Sequence, residues 1–337
     1  MILVTGGTGL VGSHLLIKLV ERGEDVIAIY RTKEKLEYVK KIFGYYTDKP
    51  LDVFNKIQWE ECDLLDVFKL EEIVEQVQVI YHCAAIVSFK SSDKDKVLKT
   101  NTEGTANIVN LALEKHIDKL CFVSSIGALG RNNSDVVGEI NEDVHFNKNN
   151  RSSVYSLSKH LSEQEVWRGI AEGLNAVIVN PSIILGPSDW SSGSSQLILK
   201  SWQGLKFYTK GVNGYVDVRD VVNIMIQLTN SEINAERFII SAENISYKDF
   251  FDTVAENLNK PKPSIKVGKC ISEIAWRIEL IRTTMLGGNP LITKETARTA
   301  NTVYQYSNHK VTKSLNYKFI PISQTIKDTC KIFLSQQ

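Results

Sequence analysis

The 337-residue sequence lacks a surplus of either charge: 40 Lys and Arg stand against 39 Asp and Glu, a formal net +1. So balanced a chain is not expected to seek nucleic acid or an anionic membrane surface. It lacks any apolar run near the roughly 18 residues of a membrane span. It opens on a strand rather than on a leader, so a cytoplasmic protein is expected. Metal-ligand spacing is missing as well. The five cysteines, Cys62, Cys83, Cys121, Cys270 and Cys330, are odd in number and scattered, which suits free thiols in a reducing compartment. Neither an internal repeat nor a low-complexity tract interrupts the chain. With 43% hydrophobic and 23% charged residues, it reads as a soluble globular protein large enough for one main domain and a smaller appended lobe.

What is present starts at once. Residues 1–12, Met-Ile-Leu-Val-Thr-Gly-Gly-Thr-Gly-Leu-Val-Gly, run an apolar strand into spaced glycines and then a helix. Gly7-x-Gly9-x-x-Gly12 fits the dinucleotide fingerprint, with Gly6, Thr8, Leu10 and Val11 in the same turn. Gly6 permits the tight turn, Gly9 lets the backbone approach a pyrophosphate, and Gly12 lets the helix pack on the strand. The helix N-terminus then offers N–H groups and a positive dipole end to phosphates. Strands expected at 2–5, 25–30, 56–62, 79–83, 119–124 and 176–180 alternate with helices at 10–22, 33–43, 65–76, 93–116 and 153–172. That alternation implies an α/β fold with a doubly wound parallel sheet. After Pro181 the pattern changes. Ser188–Ser195 reads as a loop, strand character returns at Phe238–Ser241, and Pro261 and Pro263 precede amphipathic stretches at 271–285 and 294–301.

Tyr155 and Lys159 stand four apart on a helix, hence on one face. Tyr45/Lys49 and Tyr306/Lys310 share that spacing, so position decides. Only Tyr155/Lys159 follows a strand ending in Ser124-Ser125, at the sheet edge where a doubly wound fold binds its ligand. A free phenol titrates near 10, so acid–base work at neutral pH needs a shift of ~3 units, about 4 kcal/mol. A neighbouring ammonium supplies it by favouring the phenolate. A serine hydroxyl there holds the reacting oxygen.

Seven motifs in order carry a resemblance: Gly6-x-x-Gly9-x-x-Gly12, Asp63-Leu64-Leu65-Asp66, His82-Cys83-Ala84-Ala85, Asn101-Thr102-Glu103-Gly104-Thr105, Ser124-Ser125 with Tyr155-x-x-x-Lys159, Pro181-Ser182-Ile183-Ile184-Leu185-Gly186-Pro187 and Tyr215-Val216-Asp217-Val218-Arg219-Asp220. Over nearly its whole length the chain resembles the extended short-chain dehydrogenase/reductases, the group of nucleotide-sugar epimerases, dihydroflavonol reductases and 3β-hydroxysteroid dehydrogenases. The resemblance implies a Rossmann domain of residues 1–181 with about 215–243, and a discontinuous substrate lobe of about 182–214 with 244–337. It implies Tyr155 as general acid/base and Lys159 tuning it while bonding the nicotinamide ribose. Ser125 would bind the substrate oxygen, with Ser124 a near rival. Asp63 and Leu64 would meet the adenine, Ala84 and Ala85 would pass close to the cofactor, Pro181 and Ile184 would lie beside the nicotinamide, and Asn101 would be a structural and hydrogen-bonding element. A homodimer through the helices after the fourth and fifth strands would follow the family habit. His82 reads as a satisfied strand-end residue, Asp220 as fixing a turn or capping a helix, and the Lys33, Lys35, Lys40, Lys41 cluster as a solvated face.

Departures sort the branches. The second strand ends in Tyr30-Arg31 rather than Asp or Glu, which favours NADP(H), with NAD(H) as the other possibility. The Asp-Glu pair of sugar-nucleotide dehydratases is missing after Ser124. Asn180 and Asn213 stand where epimerases carry Arg, which weakens a diphosphate substrate. The reading is a carbonyl reductase or alcohol dehydrogenase acting on a small molecule. A nucleotide-sugar epimerase and a non-catalytic cofactor sensor are the alternatives. Trp190, Trp202, Phe207, Ile274, Trp276, Ile278, Leu280 and Ile281 are candidate lobe residues for an apolar substrate. Lys200, Lys206, Lys210 and Arg282 are candidate partners for a charged one.

Overall fold

The first strand is short and apolar on both faces: Ile2, Leu3, Val4 and Thr5 are all buried. The same holds for Val26–Ile29 and for all of Lys119–Val123 and Ala176–Pro181. Strands buried on both faces belong inside a parallel sheet covered by helices. A computed structural model describes residues 1–88, 91–130, 139–146, 153–286 and 294–337. Its elements are, in order, β1 (Ile2–Thr5), α1 (Leu10–Glu21), β2 (Val26–Tyr30), α2 (Lys35–Gly44), α3 (Pro50–Asn55), β3 (Ile57–Glu61), α4 (Val67–Val74), β4 (Val79–His82), α5 (Lys94–Leu98), a π-helical turn (Lys99–Glu103), α6 (Gly104–Glu114), β5 (Lys119–Val123), α7 (Val154–Ala171), β6 (Ala176–Pro181), β7 (Ile183–Leu185), α8 (Gln196–Trp202), β8 (Phe207–Tyr208), β9 (Val212–Asp217), α9 (Val218–Thr229), β10 (Glu236–Ile240), β11 (Glu243–Ser246), α10 (Tyr247–Asn257), β12 (Ile265–Lys266), α11 (Lys269–Leu286), α12 (Lys294–Thr299), α13 (His309–Leu315) and α14 (Ile322–Leu334).

Seven parallel strands form the main sheet in the order β10-β6-β5-β4-β1-β2-β3. This is a Rossmann-type α/β fold. The order reverses between β1 and β4, so the crevice for a ligand opens beyond the carboxyl ends of those two strands. One core lies between the sheet and α1 and α9, and a second between the sheet and α4, α6 and α7. A three-stranded sheet, β11-β9-β7, rests on α10 and α14 around Tyr215, Phe250, Ile326 and Phe333.

Sequence and structure differ at several elements. The single helix expected at 93–116 is three pieces, α5, the π turn and α6. The short strands of the second sheet and helices α3, α8 and α13 carry too brief a pattern to be read, whereas α9, α10 and α14 are amphipathic helices of 12, 11 and 13 residues that sequence reasoning missed. Asp220 does not cap α9. Asp217 does, accepting from the Arg219 N–H at 2.7 Å, while buried Asp220 ties down the C-terminal segment by accepting from Tyr317 Oη and the Ile320 N–H. Among the described residues no helix is long and apolar enough to cross a membrane, and no group of His, Cys, Asp or Glu is arranged to hold a metal ion. Cys62, Cys83, Cys121 and Cys330 are free thiols; the side chain of Cys270 lies outside the described residues.

Candidate active site

The turn after β1 is shaped by what its glycines leave out. Gly6 has φ +68°, and a Cβ on it would lie 2.7 Å from Ala84 Cα and N, so β1 and the chain leaving β4 touch backbone to backbone there. A Cβ on Gly12 would collide with Gly6 O and Gly7 Cα, so α1 starts hard against the turn. Gly9 is exposed, and a Cβ on it would meet only Gly6 O, at 3.3 Å. It is the N-cap of α1 and supplies no side-chain bond to the first N–H groups. Thr8, Leu10 and Val11 are half-buried around it. An open, uncapped helix start beside a glycine is the cradle a diphosphate needs.

On the other side of the switch point, β5 delivers Ser124 and Ser125 in opposite directions, as successive residues of an extended strand must. Ser125 Oγ accepts from the Gly127 N–H at 3.0 Å and is half-buried. Ser124 is buried, and its hydroxyl donates to Glu163 Oε2 at 2.7 Å. The rival of Ser125 is therefore turned into the protein, away from the crevice. Helix α7 begins at its Ser153 cap, which accepts from the Ser156 N–H at 2.9 Å, and this sets half-buried Tyr155 in the first turn. Lys159, one turn on, is buried, donates to Val123 O at 2.7 Å, and lies 4.9 Å from the Phe122 ring centroid. Burial lowers its pKa to about 8, with Cys83 and Glu163 opposing that shift. The rival pair Tyr306/Lys310 lacks this setting: Tyr306 is buried in a separate core cluster and Lys310 pairs with Glu236.

Asn101 joins the two halves. Its Oδ1 accepts from the Ile86 N–H at 2.7 Å, and its Nδ2 donates to Ile86 O and to Ser158 Oγ, both at 3.0 Å. The segment after β4 is thus pinned to α7. Within the π turn the Asn101 carbonyl also accepts from the Thr105 and Ser162 hydroxyls, and such a local irregularity often marks a functional site. His82 lies in a directed chain. The Ala84 N–H donates to Thr5 Oγ1, which donates to His82 Nδ1, and His82 Nε2–H donates to Thr105 Oγ1 at 3.0 Å. The bonds around Thr5 and Thr105 assign this tautomer. Burial, then the Lys159 charge, drives the His82 pKa down to about 3, so it is a neutral structural link.

The remaining candidates are spread along the crevice. Asp63 is half-buried, its Oδ1 accepting from the Leu65 N–H at 3.0 Å, and buried Leu64 fills the space beside Gly104. Ala84 and Ala85 are half-buried on the segment held by Asn101. Pro181 is buried at the end of β6 and Ile184 half-buried on β7. Arg31 is exposed beyond β2. Of the lobe candidates, Trp190 and Trp202 pack edge-on against Phe333 and are core. Phe207, Ile274 and Ile278 are exposed, and Trp276 bonds Glu273. The side chains of Leu280 and Ile281 lie outside the described residues.

Sequence reasoning missed a buried ionic cluster under Ser125. Glu163 accepts from Ser124 Oγ, from Asn180 Nδ2 at 2.9 Å and from Arg237 Nη1 at 3.0 Å. Asn180 Nδ2 also donates to Ser125 O at 3.0 Å. Residue 180 thus points into this cluster, and an Arg there would meet Glu163, so its absence carries no information about a diphosphate substrate. Glu163 was within reach of the spacing rule, four residues beyond Lys159. Arg237 arrives on β10 from outside the βα alternation, and no local pattern announces it.

Residues 2–240 match the model of the NAD dependent epimerase/dehydratase family. "Sterol demethylase protein B" of Methylococcus capsulatus is 28% identical over 267 residues, covering 79% of this chain and 76% of its own. "Cinnamoyl-CoA reductase 1" of Petunia hybrida is 27% identical over 342 residues, covering 98% and 91%. The crystal structure of gox2253 superposes with a TM-score of 0.81 at 27% identity, covering 100% and 98%.

Proposed function

The chain belongs to the NAD dependent epimerase/dehydratase family, and from that premise we propose that it is an NADP(H)-dependent oxidoreductase working on a carbonyl or alcohol substrate through Ser125, Tyr155 and Lys159. The observation that carries this reading is Lys159: a buried ammonium tied to the β5 end, one helical turn from Tyr155 and beside the Ser125 strand end. A relative similar over 98% of the chain is named as a reductase. The glycine turn fits a dinucleotide, since Gly9 leaves the backbone exposed ahead of a helix start with no side-chain cap. Gly6, Thr8, Gly9, Leu10, Val11 and Gly12 hold the diphosphate, Asp63 and Leu64 the adenine side, and Ala84, Ala85, Asn101, Pro181 and Ile184 the nicotinamide side. Bound nicotinamide supplies or takes up the hydride. Ser125 holds the substrate oxygen by its hydroxyl. Tyr155 gives that oxygen a proton in reduction and removes it in oxidation, and the Lys159 charge favours the phenolate. Arg31 attracts a 2′-phosphate that a carboxylate would repel.

The site falls between a cofactor domain (1–181 with about 215–243) and a substrate lobe (about 182–214 with 244–337). A cytoplasmic homodimer is part of this proposal, supported by the family resemblance alone. The test is Tyr155→Phe, which keeps the ring but cannot pass a proton. Turnover with a carbonyl panel, followed at the NADPH absorbance, falls by about 10²–10⁴-fold, while NADPH binding by fluorescence is retained. A variant keeping half its activity overturns the assignment.

A further inference from the structure

We propose that Glu163 and Arg237 are positioning residues for this site: an ion pair between a half-buried guanidinium and a buried carboxylate that fixes the Ser125 strand end and supplies the counter-charge to Lys159. The inference rests on the roles given above to Ser125, Tyr155 and Lys159.

The pair is well placed for both tasks. Glu163 is 3% exposed and one turn beyond Lys159 on α7, so the two share a face. Its carboxylate takes four donors: Ser124 Oγ and Asn180 Nδ2 on Oε2, Arg237 Nη1 and Trp167 Nε1 on Oε1. Through Asn180 it reaches Ser125 O, so the residue proposed to hold substrate is fixed from behind by its own carbonyl. Arg237 donates to Glu142 O and Val144 O as well, which ties residues 139–146 to the same point. Strand end, catalytic helix, β6, β10 and this connecting segment therefore meet on one ion pair.

The electrostatics follow from the same geometry. Lys159 interacts with Cys83 and His82 from the β4 end and with Glu163 from its own helix, on which Tyr155 stands one turn before it. His82 is held neutral, and burial pushes the Cys83 thiol up so that it stays protonated. Glu163, with His160 and Arg237 beside it, is then the anion acting on Lys159 among the described residues. Removing its charge makes proton loss from the Tyr155–Lys159 pair easier.

The experiment is the pH profile of kcat for alcohol oxidation with saturating NADP⁺. Glu163→Gln moves the rising limb to lower pH by about half a unit to one unit, the size of a carboxylate acting through several ångströms of protein. Ser124→Ala, which removes a bond but no charge, lowers the rate and leaves the limb in place, and Arg237→Lys, which keeps the charge, also leaves it in place. If Glu163→Gln does not fold, Asn180→Arg adds a cation beside Glu163 and shifts the limb in the same direction. A limb that does not move in whichever of these two variants folds overturns the inference, whatever the rate. Tyr155→Phe separates the two failures: if it is inactive while the limb stays fixed, only the role of the ion pair fails, and if it is active the site itself is misassigned.

Discussion

Arg31 shows how much one exposed side chain can decide. It follows β2 where a carboxylate would bond an adenosine ribose, and it is free of the burial that constrains Lys159. Paired with a 2′-phosphate, a charge-assisted bond contributes roughly 1.5–3 kcal/mol, about ten- to hundredfold in affinity. On the proposed reading NADP(H) is expected to bind more tightly than NAD(H), and Arg31→Ala to narrow the ratio; calorimetry showing NAD(H) tighter in the wild type refutes this. At this scale the glycines and Asn101 were legible and Asn180 was not. Gly6 and Gly12 do local work that any sequence can advertise, a positive φ and a close approach. Asn180 depends on which face of β6 it occupies and on Glu163 waiting there, and neither is written in its neighbours.

At the scale of elements, α7 inverts the usual amphipathic rule. Its buried positions include Ser156, Ser158, Lys159, Ser162 and Glu163, so its inner face is polar and hydrogen-bonded. Apolar periodicity could not orient it; the Tyr155/Lys159 spacing and the preceding strand could. Asn101 is the clasp between this helix and the segment after β4. Asn101→Ala leaves the Ile86 amide and carbonyl unpaired and is expected to cost about 2–4 kcal/mol in urea unfolding. A loss below 0.5 kcal/mol, within the scatter of surface substitutions, removes it from that role. Another element-level check concerns the start of α9. Burial raises the Asp220 pKa from 3.8 to about 6, so the folded protein holds more protons than the unfolded chain between those values. Its contribution therefore favours folding at low pH and fades as pH rises through about 6. Asp220→Asn should flatten the change in Tm between pH 4 and pH 7, and an unchanged slope would place that dependence elsewhere.

For the whole molecule, the β-α alternation up to residue 181 was legible because each unit buries a continuous apolar run. The lobe was not. It is assembled from strands of two to six residues and helices that borrow their core from distant segments, as Phe333 does under Trp190 and Trp202. A weakly polar carbonyl substrate, rather than a nucleoside diphosphate sugar whose charge needs cationic partners when enclosed, remains part of the proposed reading, and exposed Phe207, Ile274 and Ile278 do not bear on it. Arg282, one cation in reach of sequence reasoning, is engaged with Glu279. Thermal shift with UDP-, GDP- and dTDP-sugars at saturating cofactor should give no stabilisation. Micromolar binding of one of them, with interconversion of its epimers, would make the protein an epimerase.

The last strand of the main sheet has a consequence for how the chain is made. β10 lies beside β6, yet more than fifty residues separate them, and those residues build most of the second sheet in between. A ribosome therefore releases β6 as a bare strand edge, an invitation to wrong pairing, until Phe238, Ile239 and Ile240 emerge to cover it. Glu163 waits through the same interval, since its cation is carried on that strand. Chains arrested before residue 236 should aggregate or hold chaperones more than those arrested well past residue 246, so the order of synthesis leaves this edge unfinished until about seven tenths of the protein exists.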